Sequence, residues 1–203
     1  SPRPLRRKSS VRRNRERPPL CCGDFNLLCV LCVSVVNQQS PAEMTRKPDT
    51  SPEWTLRRAR AVEAQVLTEL AHAAKQHWGY PEAWMKKWQA ELTFTRSYLR
   101  NHEVFVGETE GQVAGVAALA GEPERIMLDH FWVHPDWIGH GLGRALFDHA
   151  CTHAQRMGSR TLRVIADPHT EAFYQHMGLT RTGAVPSLIP GRELPMLELT
   201  LEA

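Results

Sequence analysis

The sequence predicts a single mixed α/β domain, and three local patterns lead to this prediction. A β-rich run at residues 126–133 is followed by three glycines at alternate positions. Apolar residues then recur at helical spacing over residues 142–157. Upstream, the β-rich runs 103–108 and 112–119 flank a turn sequence typical of a β-hairpin. Strands and helices therefore alternate along the chain.

The start of the chain differs in composition from the remainder. A chain of 203 residues, of which 42% are hydrophobic, has room for one packed domain and an appendage. Residues 3–17 are rich in Arg and Lys, and an apolar run at 25–36 follows them. That run is shorter than the ~20 residues of a membrane span, and no small-residue cleavage site follows it. We interpret residues 1–50 as an N-terminal extension, disordered or locally attached, with Met44 as a natural start.

Charge and cysteine usage argue against two classes of function for the domain. The net charge of +3 comes from the basic start and the rest is acidic, so nucleic acid is not an expected partner. Four of the five cysteines lie in the extension, where the pair Cys29 and Cys32 lacks a second ligand pair. His149 and His153 lie on one helix without a third ligand. We therefore expect no metal site.

The region before the hairpin predicts one strand and two helices. Residues 54–60 alternate weakly and predict the first strand. A helix follows as far as His77, with an apolar face formed by Val62, Val66, Leu70, Ala73 and Ala74. Gly79 and Pro81 end this helix. Residues 82–92 begin a second helix, whose apolar residues include Trp84, Met85 and Trp88.

The strand at residues 125–134 leads into the glycine turn. Alternate residues of a strand face alike, so we expect one face to carry Asp129, Phe131 and Val133 and the other to carry Leu128, His130 and Trp132. The glycines of the turn are Gly139, Gly141 and Gly143. Glycine lets a ligand approach the backbone, and the following helix start offers unpaired N–H groups and positive dipole charge. The turn is therefore a candidate phosphate site.

The last part of the chain predicts two more strands and a short helix. Residues 161–166 form a β-rich run. Pro168 can begin a helix as its first residue, with Asp167 as the N-cap. A last strand at residues 194–201 follows a connecting loop at 186–195.

Two motifs in this order resemble the signatures of the GCN5-related N-acetyltransferase (GNAT) family. Gly141 and Gly143 match the acyl-CoA-binding motif Q/R-x-x-G-x-G/A, although Ile138 stands where the family usually has Gln or Arg. Residues 166–179 resemble the second signature, a strand end and a short helix that carries Phe-Tyr and closes with Gly-Leu. The resemblance covers residues 51–203. It implies a curved, mainly antiparallel sheet that is flanked by helices and splays beside the glycine turn.

The resemblance implies transfer of an acetyl group from acetyl-CoA to a primary amine of a small molecule or peptide. The backbone of Phe131 and Val133 would pair with the pantetheine arm, and N–H groups of the turn would hold the pyrophosphate. The further cofactor-binding residues implied are Gly139, Gly141, Gly143, Arg144, Asp167 and Phe173. No metal takes part.

The family pattern also suggests residues for proton transfer and for the acceptor. Tyr174 occupies the position of the general acid that protonates the departing thiolate. Asp129, on the strand before the turn, is the expected base, with His130 as the alternative. The helices after the first strand usually border the acceptor site, so the implied pocket walls are Trp78, Tyr80 and Trp84. Each of these aromatic residues also fits a simple packing role.

An alternative function is a non-catalytic acyl-CoA-binding or sensing module, which the departure at Ile138 favours. Turnover of acetyl-CoA distinguishes the two functions. Because acetyl-CoA is found inside cells, the resemblance implies a cytoplasmic protein with no membrane partner. The sequence leaves the oligomeric state open between a monomer and a homodimer.

Overall fold

The structure, a computed structural model, describes residues 53–202. The predicted extension at residues 1–50 and the proposed start at Met44 lie outside the described residues. In chain order, the elements are β1 (Thr55–Arg58), α1 (Ala64–Gln76), α2 (Glu82–Trp88), α3 (Arg96–Asn101), β2 (Glu103–Thr109), β3 (Gln112–Ala120), β4 (Met127–Val133), α4 (Leu142–Arg156), β5 (Thr161–Ile165), α5 (Glu171–His176), β6 (Thr180–Pro186) and β7 (Glu193–Thr200).

The strands of the described region form one sheet in the order β1-β2-β3-β4-β5-β7-β6. All neighbours are antiparallel except β4 and β5, which run parallel. A parallel neighbour needs a crossover connection, and α4 supplies it. The predicted mixed α/β class with a mainly antiparallel sheet is confirmed.

Helices cover both faces of the sheet and create two apolar cores. Leu142, Leu146 and Phe147 of α4 pack on one face, together with residues of α5. Leu67 and Trp88 belong to the second core, which α1, α2 and α3 form on the opposite face. Among residues 53–202, no helix combines the length and the apolar character that crossing a membrane requires.

The predicted β-hairpin is confirmed, and its turn has the expected backbone. Strands β2 and β3 pair as far as Thr109 and Gln112. The two residues between them, Glu110 and Gly111, have φ of +50° and +76°. Two successive positive φ angles characterise the type I′ turn, whose twist matches that of the flanking strands.

The apolar face predicted for the first helix is correct at Leu70 and Ala74, which are buried, but wrong at its start. Val62 and Val66 are 72% and 45% exposed, whereas Leu67 and Ala71 are fully buried. The reason is that a turn of 3-10 helix at Ala61–Glu63 precedes α1. Val62 therefore belongs to that turn, and Leu67 instead of Val66 joins Leu70 and Ala74 on the buried stripe of α1.

Glu63 fixes this turn, which gives a testable effect on stability. Its carboxylate accepts hydrogen bonds from the Arg57 guanidinium at 2.7 and 3.1 Å and from the Arg60 N–H at 2.6 Å. Burial alone would raise the pKa of Glu63, but these hydrogen bonds lower it to about 2. A lowered folded-state pKa stabilises the protein above the unfolded value of 4.5, and this stability is lost as the pH falls towards 2.

Glu63→Gln should therefore destabilise the protein at pH 7 by about 1–3 kcal/mol, the cost of losing hydrogen bonds to a charged group. Urea unfolding at several pH values measures the effect. The difference from wild type should shrink between pH 4.5 and 2, where the wild-type carboxylate loses its advantage. Glu69→Gln, on the exposed side of α1, is the matched control. A difference that stays constant over this pH range would contradict the assignment.

Candidate active site

Strands β4 and β5 separate soon after they begin to pair, and this opens a gap in the sheet. Within the described residues, one bridge joins them, between Met127 and Arg163. Beyond it lies a cavity of about 550 Å³, a size typical of small-molecule sites. Helices α4 and α5 line it from one face of the sheet, and Ala74 and Trp78 line it from the α1 side. The cavity thus passes through the sheet, so two ligands can meet in it from opposite faces.

The backbone of β4 directs polar groups into this gap. The His134 N–H donates to the Ala114 carbonyl at 2.8 Å. Because bonded and non-bonded residues alternate in an antiparallel pair, Trp132 also bonds to β3. The N–H and C=O groups of Phe131 and Val133 then point the other way, into the gap. An extended ligand with amide groups can pair with them as an added strand does.

The glycine turn lies at the end of the cavity where α4 begins. Gly139 and Gly141 have φ of +84° and +94°, a left-handed conformation that glycine adopts without strain. Gly141 is the N-cap of α4 and offers no side chain to the first N–H groups. A Cβ atom at Gly139 or Gly141 would meet no protein atom within 4 Å. These N–H groups and the positive end of the helix dipole therefore face open space suited to phosphate.

Three other predicted residues, Gly143, Arg144 and Phe173, border the same end of the cavity. Gly143 lies on α4 close to α5, since a Cβ atom there would be 3.6 Å from the Phe173 ring. Phe173 in turn stacks on Phe131, with ring centroids 5.7 Å apart. Arg144 lines the cavity as well, and its guanidinium lies 3.0 Å from Nε2 of His176. The structure thus brings these predicted cofactor-side residues together.

Tyr174 lines the cavity from α5 and is almost fully buried. Its hydroxyl makes no hydrogen bond to residues 53–202. No fully buried side-chain N or O atom of these residues lacks a partner, so the hydroxyl retains accessible surface, and we place it at the cavity surface. Burial raises the pKa of Tyr174, and the negative charge of Asp167 adds to this effect. The phenol is therefore protonated at neutral pH and can act as a proton donor.

Asp129 lies at an irregularity in β4, on the wall of the same cavity. The register between β3 and β4 shifts between Ala118 and Leu119, which leaves Asp129 without a partner on β3. Its side chain is 44% exposed. The Tyr98 hydroxyl of α3 donates a hydrogen bond to Oδ2 of Asp129 at 2.5 Å. One carboxylate oxygen is thus held by the protein and the other remains accessible.

The same irregularity makes the predicted faces of β4 wrong. Leu128 packs in the same core as Phe131 and Val133, instead of lying on the opposite face. Asp129 bonds towards α3, on the side of the second core. An additional residue in one strand of a pair changes which face the following residues occupy. Strict alternation therefore fails at Asp129.

His130, the alternative base, is held next to Asp129. Its Nδ1 accepts a hydrogen bond from the Trp132 indole at 3.2 Å, and its Nε2 lies 3.8 Å from Oδ2 of Asp129. Burial lowers the pKa of His130, although the neighbouring Asp129 partly opposes the shift. The ring is only 12% exposed. His130 is therefore less accessible to an incoming amine than Asp129 is.

The model of the acetyltransferase (GNAT) family matches residues 65–179, more than half of the chain. The chain belongs to this family. The matched range includes the β-hairpin, β4, the glycine turn, α4, β5 and α5. It therefore contains both motifs on which the resemblance was based, and the expected family and acyltransferase class are confirmed.

Solved structures of GNAT proteins share the fold. A GCN5-related N-acetyltransferase from Rhodopseudomonas palustris is 23% identical, with a TM-score of 0.61 over 74% of this chain and 96% of that chain. The protein yncA of Salmonella typhimurium, solved with its cofactor acetyl-CoA, is 23% identical, with a TM-score of 0.55 over 74% and 95%. The PaiA N-acetyltransferase of Thermoplasma acidophilum, in complex with coenzyme A, is 14% identical, with a TM-score of 0.59 over 73% and 99%. A search of curated proteins found no match.

Asp167 lies at the cavity of this GNAT domain, but its carboxylate is occupied by protein groups. It accepts hydrogen bonds from Lys75 at 2.6 Å, from the Tyr80 hydroxyl at 2.7 Å and from Arg192 at 2.9 Å. The His169 N–H donates to it at 3.1 Å, which is the expected N-cap contact. The cofactor contact implied for Asp167 stays a prediction.

The three residues expected to form the acceptor pocket differ in position. Trp78 lines the cavity and stacks on His169, with centroids 5.1 Å apart and planes 2° from parallel. Tyr80 lies behind this wall, where its hydroxyl bonds Asp167. Trp84 packs against Tyr80 and the core beneath α1. Of the three, Trp78 is therefore the residue placed to contact a ligand.

Sequence reasoning missed Lys75, Tyr98 and Arg192. A sequence signal existed for Lys75, because it lies at helical spacing from Leu67 and Ala71, which the structure places on the buried stripe of α1. A lysine is rarely buried without a partner. Tyr98 and Arg192 reach their carboxylate partners from remote segments and have no such local signal. Within residues 53–202, no three His, Cys, Asp or Glu side chains group as metal ligands would.

Proposed function

We propose that the protein transfers the acetyl group of acetyl-CoA to a primary amine of a small molecule or peptide. The observation that carries this proposal is the gap between β4 and β5. It connects the open glycine turn with Tyr174 on one side and with Asp129 and Trp78 on the other. A thioester is already activated, so direct attack by an amine needs orientation and proton transfer but no covalent enzyme intermediate.

The residues that line the gap fit a CoA thioester. The N–H groups after Gly141 face the open space that suits the pyrophosphate. The backbone groups of Phe131 and Val133 suit the amides of the pantetheine arm. Backbone recognition also explains why Ile138 can replace the family's usual Gln or Arg without loss of the cradle.

In the proposed reaction, the bound ammonium first loses one proton to solvent through Asp129, because only the neutral amine has a lone pair. Its nitrogen then attacks the thioester carbonyl carbon, and the C–S bond breaks. Asp129 accepts the proton that leaves the nitrogen, directly or through water, and Tyr174 gives its phenolic proton to the thiolate. A free phenol of pKa about 10 is a weaker acid than a thiol of pKa about 8.5, and burial raises the pKa of Tyr174 further, so this donation gains strength only as charge develops on sulfur. The Asp129 proton and the Tyr174 phenolate then exchange protons with water, which restores both groups.

Thiol release from acetyl-CoA across a panel of small amines and peptides tests the proposed function. Release that depends on both enzyme and amine, with the acetylated amine identified by mass spectrometry, is the expected result. The alternative acyl-CoA-binding module predicts that CoA raises the melting temperature while no amine stimulates thiol release. That outcome would rule out the enzymatic proposal.

Asp129→Asn should lower kcat/KM for the amine by roughly 10²-fold or more, the usual effect of removing a general base. Asparagine can still accept the Tyr98 hydrogen bond, so the fold and the affinity for CoA should remain. Steady-state kinetics at saturating acetyl-CoA measure the change. Asp148→Asn, on the exposed side of α4, is the control and should have no effect. If Asp129→Asn reacts at the wild-type rate, Asp129 is not the general base, and that role belongs to His130 or to water.

The proposal extends to the type of amine that is acetylated, to the cellular compartment and to the oligomeric state. The single accessible carboxylate that we assign at the acceptor side, Asp129, suits a cationic amine. Because the co-substrate is a metabolite of the cell interior, we place the reaction in the cytoplasm. Size-exclusion chromatography with light scattering distinguishes a monomer from a homodimer.

A further inference from the structure

Asp167 is the meeting point of four separate segments of the chain. It follows the end of β5 by two residues and immediately precedes the 3-10 turn that leads into α5. Lys75 reaches it from the last turn of α1, and Tyr80 reaches it from the α1–α2 connection. Arg192 reaches it from the β6–β7 connection. None of these contacts is local. Arg192 also donates to the Tyr80 hydroxyl at 2.8 Å, so the cluster ties α1 and the connection after it to the β5–β7 side of the sheet.

The cluster holds two cations on one carboxylate in a buried place. The side chains of Lys75, Asp167 and Arg192 are 10%, 8% and 12% exposed. Two aromatic rings face the cations: Trp88 lies 4.4 Å from Nζ of Lys75 and 5.2 Å from Cζ of Arg192, and Tyr80 lies 5.2 Å from each. Aromatic faces attract cations and help to hold the second positive charge. Since an unpaired buried charge is costly, all partners are constrained to one arrangement.

The position of the cluster relates it to the gap. Helix α1 packs against β4, and Nζ of Lys75 lies 5.9 Å from the ring of Trp132 on that strand. Asp167 belongs to the β5 side, where the neighbouring Ala166 N–H donates to the Pro195 carbonyl at 2.9 Å. The ion pair between Lys75 and Asp167 therefore joins the β4 side to the β5 side where the backbone ladder has ended.

We propose that Lys75, Asp167 and Arg192 form a side-chain strap that fixes the width of the gap between β4 and β5. Lys75 and Arg192 are then positioning residues, which act through the separation of the two walls that hold the thioester and the amine. The rate of acyl transfer is sensitive to this separation, since a displacement of the reacting groups by about 1 Å can lower the rate about 10²-fold. The predicted effect on turnover rests on the proposed function, whereas the predicted effect on the gap does not.

Hydrogen exchange in the ligand-free protein tests the strap independently of activity. Lys75→Met keeps most of the apolar stem and removes the ammonium group. We expect at least tenfold faster exchange of the Arg163 amide, which bonds to Ile126 at the closed end of the gap, and of the Ala166 amide, which bonds to Pro195 on the β5 side. Amides of the hairpin β2–β3 should exchange at wild-type rates. Lys86→Met is the matched control, because Lys86 is exposed on α2 and pairs with the equally exposed Glu82.

Kinetics test the consequence for the reaction. Lys75→Met should lower kcat by roughly 10-fold to 100-fold, while KM for acetyl-CoA stays within about threefold because the glycine turn is unchanged. Lys75→Arg should recover most of kcat, since it restores a cation that can bond Asp167. A loss of packing alone would not be rescued in this way.

The outcomes separate the strap from the proposed function. Wild-type exchange rates in Lys75→Met would overturn the strap, even if the protein is an active acetyltransferase. Accelerated exchange in a protein that acetylates no amine would support the strap and reject the proposed function. If Lys75→Met does not fold, Lys75→Gln answers the same question, because it also removes the charge that pairs with Asp167 but keeps a polar end, and wild-type exchange in that variant also overturns the strap.

Discussion

Tyr174→Phe should bind acetyl-CoA with wild-type affinity and turn it over about 10²-fold to 10⁴-fold more slowly, the range for loss of a general acid. The substitution keeps the ring that packs on Phe131 and removes only the hydroxyl at the cavity. The hydroxyl is assigned to the departing sulfur, where charge appears only as the C–S bond breaks. Its loss should therefore lower kcat and kcat/KM together while KM changes little.

Single-turnover acetyl transfer is the appropriate measurement, because slow product release can hide a slower chemical step. CoA-induced thermal stabilisation of the same preparation controls for folding and for cofactor binding. Since burial raises the pKa of Tyr174, its ionisation should not limit the wild-type rate near neutral pH. A folded Tyr174→Phe enzyme with the wild-type single-turnover rate would exclude Tyr174 as the acid and assign the proton to water or to the amine.

The parts of the fold that the sequence predicts correctly are those encoded locally. The hairpin turn is indicated by Gly111 between two β-rich runs, because glycine takes the required positive φ without strain. The start of α4 is specified by Gly141 and the apolar period that follows it. In both cases the relevant interactions span a few residues, so periodicity and turn chemistry are sufficient.

The errors arise where remote segments decide the local structure. The faces of β4 depend on the register with β3, which shifts opposite Asp129, and no residue of β4 indicates that shift. The start of the buried face of α1 depends on the turn before the helix, where Glu63 accepts hydrogen bonds from Arg57 of β1. Helical periodicity over Val62 and Val66 cannot reveal this contact. Alternation and amphipathicity describe an element alone, whereas these outcomes depend on its neighbours.

The residues of the candidate site also divide into those that the sequence predicts and those that it does not. Residues of the two motifs, including Gly141 and Tyr174, line one cavity, as the family resemblance implies. The strap could not be predicted, because Lys75 and Asp167 are 92 positions apart and Asp167 and Arg192 are 25 apart. A buried charge in one segment indicates that a partner exists but does not identify it. The structure supplies that identity.

Gly141→Val should abolish most of the thermal stabilisation by CoA and raise KM for acetyl-CoA by roughly 10-fold to 100-fold. A fold-change of this size corresponds to losing a charge-assisted hydrogen bond worth about 1.5–3 kcal/mol. The valine side chain would extend into space that is free of protein atoms and is assigned to the phosphate oxygens. It would also strain a residue whose φ is +94°.

Gly158→Val separates these two effects. Gly158 has φ of +90°, and a Cβ atom there also meets no protein atom within 4 Å, so the backbone strain is matched. It lies beyond the opposite end of the 15-residue helix α4, roughly 20 Å or more from the glycine turn at 1.5 Å per residue. Both variants should lose a similar amount of intrinsic stability, but Gly158→Val should keep the full stabilisation by CoA. Equal stabilisation of both variants by CoA would place the pyrophosphate away from Gly141, whereas loss in Gly141→Val alone assigns the phosphate site to the start of α4.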